Sequence, residues 1–188
     1  MKLHIGCGNR RIEGFINIDV RDTQASDLVC DIVDLPYEEK SIDLIYACSV
    51  LEHFGRNSKL DFFRKTSWIN ALEHWHSLLS KGGKLYLSVP DFEAICLEYA
   101  QNRCIEKLIG LTIGGQKNNE DLHGMIFDYK LLEQMLLDIG FTSVERYDWW
   151  KLESFCNNKE YDDFSRSYLP HLDFKDGRLM MLNIKAVR

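Results

Sequence analysis

A chain of 188 residues, 45% of them hydrophobic and only three of them proline, is the size of one compact domain that can bury a substantial core. Its formal charge of -6 leaves no broad basic surface for neutralising phosphates, so a nucleic-acid substrate would need a local patch that the sequence does not show, and small-molecule or carbohydrate acceptors rank higher. The six cysteines form no CxxC pair, which argues against a disulfide framework or a thiolate metal site and fits a reducing cytoplasm.

Met1 leads almost directly into an apolar strand, with no signal-peptide core and no apolar run long enough to span a bilayer. The expectation is a soluble, cytoplasmic protein without membrane insertion, and nothing in the sequence indicates self-association. Short β-rich runs follow at Lys2 to Ile5, Phe15 to Val20, Asp27 to Cys30, Ile42 to Cys48 and Lys84 to Val89, each closed by Gly, Asp, Ser or Pro. Between the last two, Trp68, Leu72, Trp75 and Leu79 recur at helical spacing, and Gly82-Gly83 is expected to stop that helix before the next strand.

Farther on, Leu131, Leu132, Met135, Leu136 and Ile139 predict a second amphipathic helix ending at Gly140, then a strand from Thr142 to about Tyr147 and a final one from Leu179 to Val187. Strands alternating with helices, without linker or repeat, imply one domain over residues 1–188: an open α/β sheet with helices on both faces. Arg103 to Asp128 and Leu152 to Asp176 resist assignment and are expected to cover an acceptor site, within segments 103–128 and 152–176.

Open α/β sheets bind ligands at the carboxyl ends of their strands where the strand order reverses. The first such loop is Gly6-Cys7-Gly8, whose glycines let the main chain approach a ligand closely. The second strand ends in Asp19, which can accept hydrogen bonds from ribose hydroxyls at roughly 1.5–3 kcal/mol each. The third ends at Asp31-Ile32, an acceptor for an exocyclic amine followed by an apolar side chain for the base. A dinucleotide fingerprint wants a third glycine where Arg11 stands, and Asp19 follows Gly8 too closely for a full helix that could receive a pyrophosphate. An oxidoreductase or a nucleotide-sugar enzyme on a related sheet is therefore the weaker alternative.

Leu3-His4-Ile5-Gly6-Cys7-Gly8, then Asn17-Ile18-Asp19, Asp31-Ile32, Leu35-Pro36-Tyr37, the run Ser41 to Tyr46 and Leu51-Glu52-His53 together resemble the class I S-adenosylmethionine-dependent methyltransferases. Lys81-Gly82-Gly83-Lys84-Leu85 before Val89-Pro90 is similar to the family's next loop and strand. The resemblance implies a Rossmann-like sheet of seven strands, mainly parallel with an antiparallel last strand, and S-adenosyl-L-methionine as cofactor. It implies that Gly6, Cys7 and Gly8 approach the methionine part, Asp19 the ribose, and Asp31 with Ile32 the adenine, with Ala47 and Cys48 beside the sulfonium. The usual helices ahead of the first strand are missing. Gly114-Gly115-Gln116, His123-Gly124, Phe127-Asp128 and Gly140-Phe141 are similar to a branch associated with surface-polysaccharide synthesis, which suggests a sugar-linked acceptor.

Methyl transfer to a hydroxyl or amine is an in-line displacement that needs positioning and is helped by a base near neutral pH. His123, in the glycine-containing insertion, and His53 are the candidate catalytic residues; Asp91 and Asp128 are weaker ones. The alternative for Glu52-His53 is structure at the start of a helix or a contact on the cofactor side. His74 and His76, two apart on one helix, point in different directions, and no metal ligands are expected. Trp149-Trp150, with Tyr147 and Phe155, offer either an aromatic platform for a ring or ordinary packing, and the charges from Glu160 to Asp163 read as a solvated loop. A non-catalytic binding or regulatory module on the same fold is the remaining alternative.

Overall fold

The computed structural model describes residues 1–55, 67–117, 119–152 and 162–188. In chain order these form β1 (Lys2–Ile5), β2 (Ile16–Asp19), β3 (Leu28–Val29), β4 (Ile42–Cys48), α1 (Trp68–Leu78), β5 (Leu79–Pro90) and α2 (Phe92–Asn102). The short α3 (Ile109–Ile113), α4 (Tyr129–Ile139), β6 (Ser143–Arg146), β7 (Tyr168–Leu169), β8 (Arg178–Leu179) and β9 (Met181–Val187) follow.

Seven strands pair in the order β3-β2-β1-β4-β5-β9-β6, with β1 to β5 parallel and β9 antiparallel to both its neighbours. The strand order therefore reverses between β1 and β4: the chain runs outward from β1 to β3, then returns to the other side of β1. A crevice opens at that switch point, outside the carboxyl ends of the two strands.

Alternation along the strands sorts the core. Leu3, Ile5, Ile45, Ala47, Leu85 and Leu87 pack with α1 and α4, whereas Leu44, Tyr46 and Cys48 join Ile12, Phe15, Tyr147 and Leu152 in a second cluster. This second cluster is closed by loop residues and the 3-10 turn Trp149–Leu152, in place of longer helices among the described residues. Helix α1 begins where the Ser67 hydroxyl accepts from the Asn70 amide and buries Trp68, Ala71, Leu72, Trp75 and Leu78; Trp68, Leu72 and Trp75 belong to the predicted stripe, whereas Leu79 lies beyond the helix, in β5. The Trp75 indole donates to the Ile32 carbonyl at 2.9 Å, fixing the loop after β3 against the helix.

Two expectations need correction, and one helix was not foreseen. Gly82-Gly83 does not end α1: the helix closes at Leu78, Leu79 already pairs with Ile42, and the two glycines lie in an excursion before Lys84 resumes the ladder opposite Leu44. The final strand breaks at Met180, because Arg178–Leu179 pair with β7 in a separate two-stranded sheet. The stretch Phe92 to Asn102, which carries no strong periodic signal, is helical because the Asp91 carboxylate accepts from the Glu93 amide at its start.

No described helix is long and apolar enough to cross a membrane.

Candidate active site

At the switch point lies a cavity of about 410 Å³, within the range of small-ligand and cofactor sites. Gly6, Cys7, Gly8, Asp19, Ile32, Cys48 and His53 line it, so seven residues singled out in the sequence converge there from four strand ends and the turn after β4. Asp31, Ala47 and His123 do not line it. Asp31 accepts the Val33 amide at 3.3 Å and its carbonyl accepts the Asp34 amide, closing the turn that follows. The Ala47 side chain is fully buried on the α1 and α4 face.

Gly6 has φ +66°, and a Cβ there would lie 2.3 Å from Val50 Cγ2, so both backbone angle and space require glycine. The Gly8 amide donates to Asp19 Oδ2 at 2.8 Å, which ties the glycine loop to the end of β2. Asp19 Oδ1 accepts from the amide and the Nε of Arg21, at 2.9 and 3.1 Å. Burial raises the Asp19 pKa, but these amide and guanidinium donors outweigh it and hold the carboxyl below its ordinary value. The group is thus an anion at neutral pH, and with two lone-pair directions per oxygen Oδ2 retains capacity beside the Gly8 amide. An acid so placed suits a ribose diol.

His4 lines the cavity floor, 2% exposed, with Nδ1 3.0 Å from Asn17 Oδ1; burial lowers its pKa to about 4, only partly offset by that contact. The Tyr46 hydroxyl donates to the Asp163 carboxylate, and Asp163 also lines the cavity. The Cys7 thiol is pushed up to about 11 by burial and the Asp19 charge, and Cys48 is raised further by burial, so neither is a thiolate at neutral pH.

Both unassigned segments reach this cavity. Lys117, Glu120 and Asp121 line it from the first, and Asp163 and Phe164 from the second. The first is docked where the Gly124 and Met125 amides donate to the Glu52 carbonyl at 2.7 and 3.2 Å and His53 Nδ1 meets the Leu122 carbonyl at 3.0 Å. Within it Gly114, at φ +82°, passes so close to the Asp121 carbonyl oxygen that a Cβ would lie 1.9 Å away. Phe155 and Glu160 lie outside the described residues, and Asp163 departs from the expected solvated loop: it is buried and accepts from the Tyr46 hydroxyl.

His53 and His123 stack edge to face with ring centres 4.9 Å apart. Burial, followed by the neighbouring His53, lowers the His123 pKa to about 4, so it is neutral at pH 7 and a weak proton acceptor. Glu52 is 1% exposed, and burial raises its carboxyl to about 8 against weaker opposing effects of Ser49 and the nearby amides. The weaker acid candidates have structural duties: Asp91 caps α2 and meets Arg146 at 3.3 Å, and Asp128 accepts the Leu131 amide at the start of α4. Trp149 packs edge to face on Trp150 and against Phe174, and its indole donates to Tyr168 at 3.2 Å.

A seven-stranded sheet of this order, with a glycine loop at β1 and an acid at the end of β2, has the Rossmann-like fold of the class I methyltransferase type. Residues 13–87 match the family model of the methyltransferase domain. No curated protein matches the chain. Among solved structures, it is similar to a SAM-dependent methyltransferase from Thermotoga maritima described as a possible histamine N-methyltransferase, at 13% identity and TM-score 0.54 over 99% of this chain and 81% of that one. A SAM-dependent methyltransferase from Archaeoglobus fulgidus matches at 12% identity and TM-score 0.55, covering 100% of this chain and 85% of that one. The 1,6-didemethyltoxoflavin-N1-methyltransferase of Burkholderia thailandensis, solved with its acceptor and S-adenosylhomocysteine, matches at 14% identity and TM-score 0.56, covering 100% and 70%. At these identities the likeness is one of fold. The family match over residues 13–87 agrees with that fold and covers less than half of the chain.

Proposed function

We propose that this protein methylates an oxygen or nitrogen of a small-molecule or sugar-linked acceptor. One observation carries the reading: one cavity of about 410 Å³ is lined both by the glycine loop, Asp19 and Ile32 and by residues of the two covering segments. A volume of that order suits a cofactor with a small acceptor better than a polymer. When bound, S-adenosylmethionine supplies an electrophilic methyl group on a sulfonium, and S-adenosylhomocysteine is the product.

The chain's own residues bind, orient and exclude water. Gly6 to Gly8 offer close main-chain approach, Asp19 accepts from the ribose hydroxyls, and Ile32, held by Trp75, packs on the base. Asp31 and Ala47 act from behind, by shaping the turn and the strand end. On the acceptor side His53 faces the cavity and touches the acceptor, while His123 stacks behind it and orients it. Phe164, 53% exposed at the cavity with the Arg10 guanidinium 5.1 Å from its ring centre, supplies a stacking surface suited to a sugar or other ring. Proximity and orientation carry most of the rate. The five described cysteines are all free, in keeping with work in a reducing cytoplasm.

The test is incubation with S-adenosylmethionine and panels of amines, phenols and sugars, read as S-adenosylhomocysteine release and as a product heavier by one methylene unit. Product with a ring-bearing small molecule supports the proposal. Intact cofactor binding without turnover across the panels would favour the non-catalytic module, and affinity for a dinucleotide would favour an oxidoreductase.

A further inference from the structure

We propose that Glu52, His53 and His123 form a binding site for a divalent transition-metal cation of the zinc type, at the wall of the cavity. One potential ligand atom from each of the three lies within 4.8 Å of the other two. Among the described residues they make up a carboxylate and two imidazoles, the nitrogen and oxygen donor set that such cations favour. Ligands of a tetrahedral ion stand roughly 3.4 Å apart, so binding draws the trio together by side-chain rotation.

Two independent features point the same way. His53 Nδ1 lies 3.0 Å from the Leu122 carbonyl, and His123 Nδ1 lies 3.2 Å from the Leu111 carbonyl. A carbonyl only accepts, so each Nδ1 carries the proton and each lone pair is on Nε2, the tautomer and outer hydrogen bond that metal-bound histidines characteristically show. The Glu52 carboxylate is 1% exposed, and neither of its oxygens has a well-formed hydrogen bond. A buried acid in that condition offers both oxygens to a cation, which would take the place of its proton.

The three residues come from two parts of the chain. Glu52 and His53 sit on the turn Leu51–His53 after β4, and His123 sits on the covering segment docked to that turn. An ion here clamps the cover onto the sheet and leaves a fourth position for water or an acceptor group. With the ion bound, the effect of His53 on turnover runs through the metal. The site stands apart from the acceptor assignment, because its test needs neither cofactor nor acceptor.

Chelator-treated protein titrated with Zn²⁺ should take up one equivalent and gain thermal stability, and Co²⁺ should give a tetrahedral spectrum without a thiolate band. His123→Ala and Glu52→Gln should each weaken Zn²⁺ at least tenfold, while His74→Ala, on α1, leaves it unchanged. Glu52→Gln keeps side-chain size and removes a buried acid, so its fold, checked by circular dichroism, keeps the test interpretable if His123→Ala unfolds. Uptake that survives in a folded Glu52→Gln variant, a thiolate band, or the lack of any stoichiometric uptake would overturn the proposal.

Discussion

Replacing Asp19 with alanine strikes both ligand and protein, and the two effects can be separated. Asp19 Oδ2 holds the Gly8 amide and Oδ1 holds the amide and Nε of Arg21, so the substitution removes three donor contacts within the fold. It also removes the charged acceptor assigned to the ribose, and one such hydrogen bond is worth about 1.5–3 kcal/mol. S-adenosylhomocysteine should therefore bind roughly 10- to 150-fold more weakly, measured by calorimetry below the unfolding temperature. Asp19→Asn retains one acceptor oxygen and should fall between the two. A folded Asp19→Ala variant with undiminished affinity would refute the assignment of Asp19 and, with it, the placement of the nucleoside.

Gly6→Ala should destabilise the protein by roughly 2–5 kcal/mol, the sum of a left-handed backbone cost and an overpacked Val50 contact, seen as a lower urea midpoint. His4 predicts an acid sensitivity. Its folded pKa of about 4 lies below the ordinary 6.5, so the fold binds the neutral ring. Its contribution is full above pH 6.5 and lost as pH falls towards 4, about 3 kcal/mol in all, and His4→Gln should flatten that part of the stability profile. His53→Ala should leave S-adenosylhomocysteine affinity nearly unchanged and lower kcat about 100-fold, whereas parallel losses in both would move His53 to the cofactor side.

The half of the site proposed to take the nucleoside was legible because its signals are local. Gly6, Gly8 and Asp19 each sit where a strand gives way to a loop, and the short spacing between Gly8 and Asp19 correctly implied that no full helix intervenes. Parallel strands buried on both faces betrayed themselves by apolar runs such as Ile42 to Cys48. The acceptor side was not legible in the same way. Tyr46 and Asp163 meet across 117 residues of chain, and no periodicity encodes such a contact. Glu52 read equally well as part of a turn, and only its burial beside His53 and His123 gives it further meaning. The Phe92 amide at the start of α2 and the Met180 amide at the strand break likewise donate to tertiary partners, the Phe127 and Ser167 carbonyls, that sequence spacing does not reveal.

Calorimetric titration of the purified protein with S-adenosylmethionine and S-adenosylhomocysteine, with a nicotinamide dinucleotide as control, tests the central claim most directly. Binding of the two sulfur nucleosides in about the micromolar range, with none of the dinucleotide, is the predicted result. Dinucleotide binding in place of S-adenosylmethionine and S-adenosylhomocysteine would contradict it.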